Sequence, residues 1–323
     1  MISVVIPVYN EAESLRQLHR EIADVAASER LDVEFLFVDD GSRDDSWKII
    51  ESLAQEDARV GGIRFRRNFG KAAALDAGFQ AARGDYVATL DADLQDDPRE
   101  LPRFLDALQG ELDLVSGWKQ VRHDPADKVI PSRVFNWLVS RLTGVALHDH
   151  NCGYKVYRGE VVRDLRLYGE MHRFVPVLAA ARGWRVGELI VNHRKRQFGR
   201  SKYGFSRNIK GFLDLFTVFF LTRFGDRPAH AIGGCGLAAL AVGALMLALS
   251  GLGAVGPALV DGPIWRLFPS AIYGWLAVAV GVVLLKLGLV AELTVSSRTT
   301  RSSTYSIRER RDPRHKRSTD AAS

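Results

Sequence analysis

The run Asp91-Ala92-Asp93-Leu94-Gln95-Asp96-Asp97-Pro98 carries the densest chemistry in the chain. Two carboxylates one residue apart, directly after the apolar stretch Tyr86 to Leu90, can converge on one hard cation. Such a cation, Mg²⁺ or Mn²⁺, takes oxygen ligands and commonly bridges to substrate phosphates. The same run also reads as an acidic turn capping a helix that starts near Pro98, because Asp and Pro both favour helix starts. A second acidic motif, Asp39-Asp40-Gly41-Ser42, ends another apolar stretch. There Asp40 can accept hydrogen bonds from a base or ribose, and Gly41 permits close backbone approach. Alone, such a tetrapeptide is more often a turn.

The elements that must position these residues alternate. Ile2–Val8 is strand-like, Glu11–Ala27 helical, Glu34–Val38 strand-like and Asp45–Ala54 helical. Val60–Phe65, Lys71–Ala82, Tyr86–Leu90, Arg99–Leu108 and Asp113–Ser116 continue the pattern. The alternation predicts an α/β fold with a mostly parallel sheet. Ligands in such sheets bind beyond the carboxyl ends of the strands. Asn10-Glu11, Asp39 to Ser42, Asn68-Phe69-Gly70-Lys71 and the Asp91 run each follow a strand, so one cluster in space is expected.

Composition splits the chain. Residues 1–210 mix charged and apolar positions, whereas about 231–256 and 267–291 carry almost no charge. Each stretch is long enough to cross a bilayer, and glycines in the first suit close helix contact in lipid. Phe212 to Leu221, within a 211–230 connector, reads as a juxtamembrane amphipathic helix. Ile2–Val8 is no signal peptide, since Pro7 interrupts it and Asn10-Glu11 follow at once. Residues 297–323 hold eight Lys/Arg against three Asp/Glu, most of the formal net charge of +6. With a short, nearly neutral loop between the spans, this is a positive-inside pattern. It predicts a multi-pass membrane protein with the first domain and both termini cytosolic. The 296–323 tail is expected to be disordered. The basic charge thus marks a membrane-side tail rather than a nucleic-acid surface. Cys152 and Cys235 supply neither a disulfide framework nor metal spacing.

Taken in order, four motifs resemble glycosyltransferase family 2: Val4-Val5-Ile6-Pro7-Val8-Tyr9-Asn10-Glu11, Val38 to Ser42, Arg67 to Lys71 and Asp91 to Pro98. The stretch Asn192 to Gly204, with Gly199-Arg200-Ser201-Lys202-Tyr203, is similar to the dolichol-phosphate mannose synthase and bacterial polyisoprenyl-phosphate branch. The resemblance implies a GT-A nucleotide-sugar domain at 1–210, followed by the juxtamembrane helix and two spans within 231–295. It implies inverting transfer of one sugar from a nucleotide sugar, UDP-glucose or GDP-mannose, to a polyprenyl phosphate at the cytosolic face. Asp91, Asp93 and Gln95 would hold Mg²⁺ or Mn²⁺. Asp40, with Pro7, Tyr9, Glu11 and Lys71, would hold the nucleotide sugar, and Arg196, Ser201 and Lys202 would close over the diphosphate. Arg122 and Arg133 match arginines for the lipid phosphate, and Asp149 an aspartate near the sugar. An already ionised phosphate acceptor favours positioning over proton abstraction at Asp149. The surrounding Asn151-Cys152-Gly153 departs from the mannose synthase pattern and weakens a claim for mannose. His148 and His150 read as loop residues rather than ligands. The Gly-rich spans and the resemblance suggest a homo-oligomer.

Two other readings stand beside this one. A processive polysaccharide synthase would carry Gln-x-x-Arg-Trp, but Gln197-Phe198-Gly199-Arg200 is followed by Ser201. A non-catalytic membrane scaffold of the same fold would have no use for clustered cleft charges, which are unfavourable when unpaired.

Overall fold

The computed structural model describes residues 1–120, 126–194, 206–224, 228–255, 268–297 and 307–311. They divide into two compact units. One holds Met1–Phe219 with the late strand Ile307–Arg311, and the other holds the two long apolar helices.

The first unit is built on β1 (Ile2–Val8), β2 (Val33–Asp39), β3 (Val60–Phe65) and β4 (Tyr86–Thr89). β1 pairs in parallel with β2 and β4, and β2 with β3. β2 is buried along its whole length, as expected where both faces of a parallel sheet are covered. Helices α1 (Ala12–Ser28), α2 (Ser46–Glu56) and α3 (Lys71–Ala81) make the crossovers. α1 buries Leu15, Leu18, Ile22 and Val25, a single apolar stripe at helical spacing. α3 is different: Ala72 to Phe79 are all buried, so its small residues let it lie close against the sheet.

The later elements are α4 (Leu101–Gln109), β5 (Leu114–Trp118), α5 (Ala126–Thr143), β6 (Lys155–Arg158), α6 (Gly159–Asp164), α7 (Val175–Ala181) and β7 (Val186–Ile190). β6 lies between β4 and β5 and runs antiparallel to both. Its first residue, Lys155, therefore sits beside Thr89, the last of β4. That register delivers the preceding Asp149–Gly153 loop to the strand end where Asp91 emerges. β7 is parallel to β5, with Ile190 opposite Trp118, so the chain after β7 arrives at the same end.

α8 (Ser206–Phe224) covers the 212–221 segment read as a juxtamembrane helix. Leu215 and Val218 are buried in the hydrophobic cluster that also holds Leu75 and Phe79 of α3, whereas Phe216 is exposed. One apolar face of this helix is therefore docked on the α/β domain. α9 (Pro228–Val255) and α10 (Phe268–Ser297) form the second unit. Ala229–Leu252 and Ala271–Ala291 are long and apolar enough to cross a membrane, each with mean hydropathy 2.2. Their helices touch through glycines: a Cβ at Gly243 would lie 2.8 Å from the Gly274 carbonyl, and one at Gly236 2.9 Å from that of Gly281. This small-residue seam lets the backbones approach.

The tail departs from expectation. Ile307–Arg311 forms β8, antiparallel to β3 at the edge of the eight-stranded sheet. An unpaired edge offers a row of free N–H and C=O groups, and a segment without Gly or Pro just ahead of Pro313 can satisfy it.

Candidate active site

The loops after β1 to β4 meet in one cleft of about 340 Å³. Pro7, Tyr9, Glu11, Asp40, Asn68, Lys71, Asp91, Asp93, Glu170 and His172 are among its lining residues. Local hydrogen bonds fix these loops to one another. Asn10 and Glu11 donate their N–H groups to Ser42 Oγ and Ser46 Oγ, at 2.9 and 3.0 Å. Asp40 accepts from the N–H groups of Phe69, at 2.6 Å, and Gly70, at 2.9 Å. Gly41 has φ +71°, and a Cβ there would stand 2.5 Å from the Arg67 carbonyl carbon, so only glycine lets these loops pass. Asp40 is 4% exposed, and burial pushes its carboxyl up to about 6 despite the two N–H donors.

The acidic run forms a tight turn. Asp93 Oδ1 accepts the Gln95 N–H at 3.1 Å, and the Asp91 N–H donates to Asp96 Oδ2 at 3.3 Å. Between them, buried Leu94 adopts φ +62°, a left-handed conformation costly for a bulky residue by about 1–3 kcal/mol. The helix-capping reading belongs to Asp97, whose side chain accepts the Arg99 N–H at 3.1 Å before a short 3₁₀ turn, Pro98–Glu100. Asp91 and Asp93 do not perform that capping; both face the cleft.

Counter-charges surround the turn. Lys71 Nζ pairs with Asp91 Oδ1. Burial alone would raise the Asp91 carboxyl, but Lys71, then Lys119 and Lys155, outweigh it and hold it below the usual carboxylate range. Lys119 Nζ lies 2.9 Å from Asp96 Oδ1, a pair almost wholly inside the protein. Burial opposes the Lys119 charge, yet Asp96 and Asp91 raise its pKa. Gly153 backs Asp91 so closely that a Cβ would stand 2.5 Å from Oδ2. Burial, reinforced by Lys71 and Arg173, keeps the His172 imidazole neutral.

The structure thus gathers Pro7, Tyr9, Glu11, Asp40, Lys71, Asp91 and Asp93 in one place. Gln95 is not among the lining residues; its carbonyl accepts the Arg194 N–H at 2.9 Å. Asp149 is buried and is not among the lining residues, and its Oδ1 accepts the Asn151 N–H at 3.1 Å. Arg133 is exposed on α5. Arg122, Arg196, Ser201 and Lys202 lie outside the described residues. His148 stacks on Trp118 and pairs with Glu188, and His150 Nε2 meets Ser140 Oγ at 3.0 Å. Burial lowers the His150 pKa to about 4. The sequence alone singles out none of Glu170, His172, Lys119 and Lys155, and gives Asp96, within the acidic run, no separate role. The charged run Glu170-Met171-His172-Arg173 ahead of an apolar helix was the one visible signal.

Known proteins give this arrangement a context. The family described as glycosyl transferase family 2 matches residues 3–166. A dodecaprenyl-phosphate galacturonate synthase of Rhizobium johnstonii is 40% identical over 248 residues, 75% of this chain and 73% of that protein. The chain belongs to glycosyl transferase family 2. An undecaprenyl-phosphate 4-deoxy-4-formamido-L-arabinose transferase of Shewanella sediminis, 37% identical, aligns over 90% of this chain and 86% of its own length. The fold is shared at low identity with a glucosyl-3-phosphoglycerate synthase of Mycobacterium tuberculosis, solved with Mn²⁺, UDP and phosphoglyceric acid. That match has TM-score 0.54 and 18% identity, covering 69% of this chain and 78% of the other. A mannosyltransferase of Pyrobaculum calidifontis, in complex with GDP-Man and Mn²⁺, gives TM-score 0.51 at 16% identity over 93% and 76% of the two chains. The α/β domain of this family 2 member is accordingly GT-A-like, followed by two apolar helices that are candidate membrane spans.

Proposed function

We propose that this family 2 glycosyltransferase moves one sugar from a nucleotide-diphosphate sugar to a polyprenyl phosphate. The observation that carries the reading is the convergence of Asp40, Lys71, Asp91 and Asp93 from three strand-end loops into one cleft. The polyprenyl-phosphate names of the 37–40% identical relatives support the acceptor, as do the two apolar helices.

Asp40 and the β1 loop residues Pro7, Tyr9 and Glu11 are suited to the base and ribose. Asp91 and Asp93 offer only hard oxygen donors, and no group of three or more His, Cys, Asp or Glu forms a closed metal cage among the described residues. Such a pair fits a divalent ion that shares its remaining positions with phosphate oxygens. The glycine at 153 leaves room for the Asp91 carboxylate to take that orientation. Mg²⁺ or Mn²⁺ bound there would neutralise charge on the departing diphosphate. Lys71, with Arg196 and Lys202 from the later basic stretch, would add fixed positive charge at the same place. An acceptor phosphate oxygen forms the new bond to the anomeric carbon from the opposite face. The bond from that carbon to the diphosphate oxygen breaks, its electron pair leaves with the nucleotide, and the configuration inverts. The attacking phosphate is already ionised, so no side chain needs to take a proton. Asp149 then serves to position the sugar, Arg122 and Arg133 to hold the acceptor phosphate. The basic tail, beside a nearly neutral loop between the two apolar stretches, supports a cytosolic catalytic domain, residues 1–210, with both termini on the same side of an inner membrane.

The test is the full chain in lipid nanodiscs with Mn²⁺, undecaprenyl phosphate and radiolabelled donors. UDP-glucose, GDP-mannose, UDP-GlcNAc, UDP-galacturonate and the UDP-linked formamido-arabinose form the panel. A lipid-linked radiolabelled sugar is expected with one of them. Absence of product across the panel would count against the reading.

A further inference from the structure

Arg194 belongs by sequence to a basic stretch suited to phosphate, but its guanidinium is already engaged. Nη1 lies 2.5 Å from Glu21 Oε2 on α1, and Nη2 2.5 Å from Asp97 Oδ1 at the end of the acidic turn, 97 residues earlier. Its backbone joins the same contact. The Arg194 N–H donates to the Gln95 carbonyl at 2.9 Å, and the preceding His193 forms a β-bridge with Asp96. Asn192 adds its N–H to Glu100 Oε1 at 3.2 Å. The segment after β7 is therefore fastened along the whole downstream side of the turn.

That turn has a reason to need fastening. Leu94 holds a left-handed conformation directly after Asp93, and the aim of the Asp93 carboxylate depends on it. A strained conformation persists only when its surroundings over-determine it. Lys119 holds the turn from beneath through Asp96, while Arg194 holds it from outside. Arg194 also ties it to α1, whose first turn follows directly on Tyr9 and Glu11 of the opposite cleft wall.

We infer that Arg194 is a positioning residue for the Asp91/Asp93 pair: it keeps the turn closed and in register with α1, and it contacts neither phosphate nor sugar. This rests on the reading of the pair as the cation-holding site. The interaction it governs is the supported orientation of two carboxylates, the kind of outer contact whose loss weakens metal binding about 10–100-fold.

The experiment measures Mn²⁺ binding to the full chain by calorimetry, with UDP and with GDP, alongside the donor and acceptor kinetics. Arg194→Met should weaken Mn²⁺ binding about tenfold or more and lower kcat with the acceptor KM unchanged. Arg194→Lys, which can keep one of the two ion pairs, should fall between it and the wild type. Arg16→Met removes a comparable bridge, from α1 to Glu56 and Ser52 on α2, and should leave Mn²⁺ affinity within about twofold, as expected of an exposed pair. Should Arg194→Met not fold, Glu21→Gln removes the α1 half of the clamp and should still weaken Mn²⁺ binding measurably. Unchanged Mn²⁺ affinity in Arg194→Met, or in Glu21→Gln if that is the variant that folds, overturns the inference while leaving the donor cleft standing. A wild-type chain that binds neither nucleotide in a Mn²⁺-dependent way overturns the cleft reading itself, and this inference with it.

Discussion

Strands β1 to β4 reach the cleft through loops that carry most of its lining residues. β5 to β7 reach the same place mainly with supports: Lys119 after β5, Gly153 and Lys155 around the start of β6, Arg194 after β7. The first half is all parallel, and its motif residues follow each strand directly. The second half includes the antiparallel β6, and its contributions are a counter-ion, a missing Cβ and a guanidinium clamp. Most of the cleft lining thus comes from the first 97 residues, while the following 97 mainly buttress it. The difference implies that substitutions in the two halves should fail differently: activity without stability in one, stability or metal affinity in the other.

The sharpest break is expected at the motif half. Asp93→Asn should reduce turnover on the order of 10³-fold, because a ligand that acts on developing charge is lost. The melting temperature should stay near that of the wild type, since the amide keeps an oxygen to accept the Gln95 N–H. A parallel loss of folding cooperativity would place Asp93 among the supports instead. Next comes Lys119→Met, which leaves Asp96 buried without its cation. Breaking such a pair is expected to cost about 3–5 kcal/mol of stability, read by denaturant titration of the full chain. A loss below about 1 kcal/mol would show that Asp96 finds another partner, and the contrast between halves would weaken. The smallest effect should come from Gly153→Ala. Its Cβ would force Asp91 to shift, so Mn²⁺ affinity should fall about tenfold while stability changes little. Unaltered metal binding would mean that Asp91 has room the packing does not show.

How much of this was legible in advance follows the same division. The parallel strands show in the sequence as apolar runs, and the rule that ligands sit at strand ends groups Asp40, Lys71, Asp91 and Asp93. The spans were equally plain, being long and uncharged. Lys119 and Lys155 were not legible, because a buried lysine looks like any surface lysine until the fold places a carboxylate against it. The departure at Asn151-Cys152 draws attention to the loop but not to Gly153, whose steric role appears only with Asp91 in position. Arg194 was read with its basic neighbours as one loop, although contacts 97 and 173 residues away separate its role from theirs. Ile307–Arg311 was hidden by composition: five residues amid basic, polar sequence form a strand because the β3 edge offers them a partner.

That last strand has a consequence for how the protein is made. During synthesis β3 emerges early, but β8 leaves the ribosome only after both apolar helices. Throughout that interval the sheet presents a bare edge, the geometry most prone to pairing with another chain. The nascent α/β domain can assemble its cleft, yet its sheet gains its edge strand only from a segment that follows both apolar helices. The order of synthesis therefore makes emergence of both apolar helices precede closure of the sheet edge.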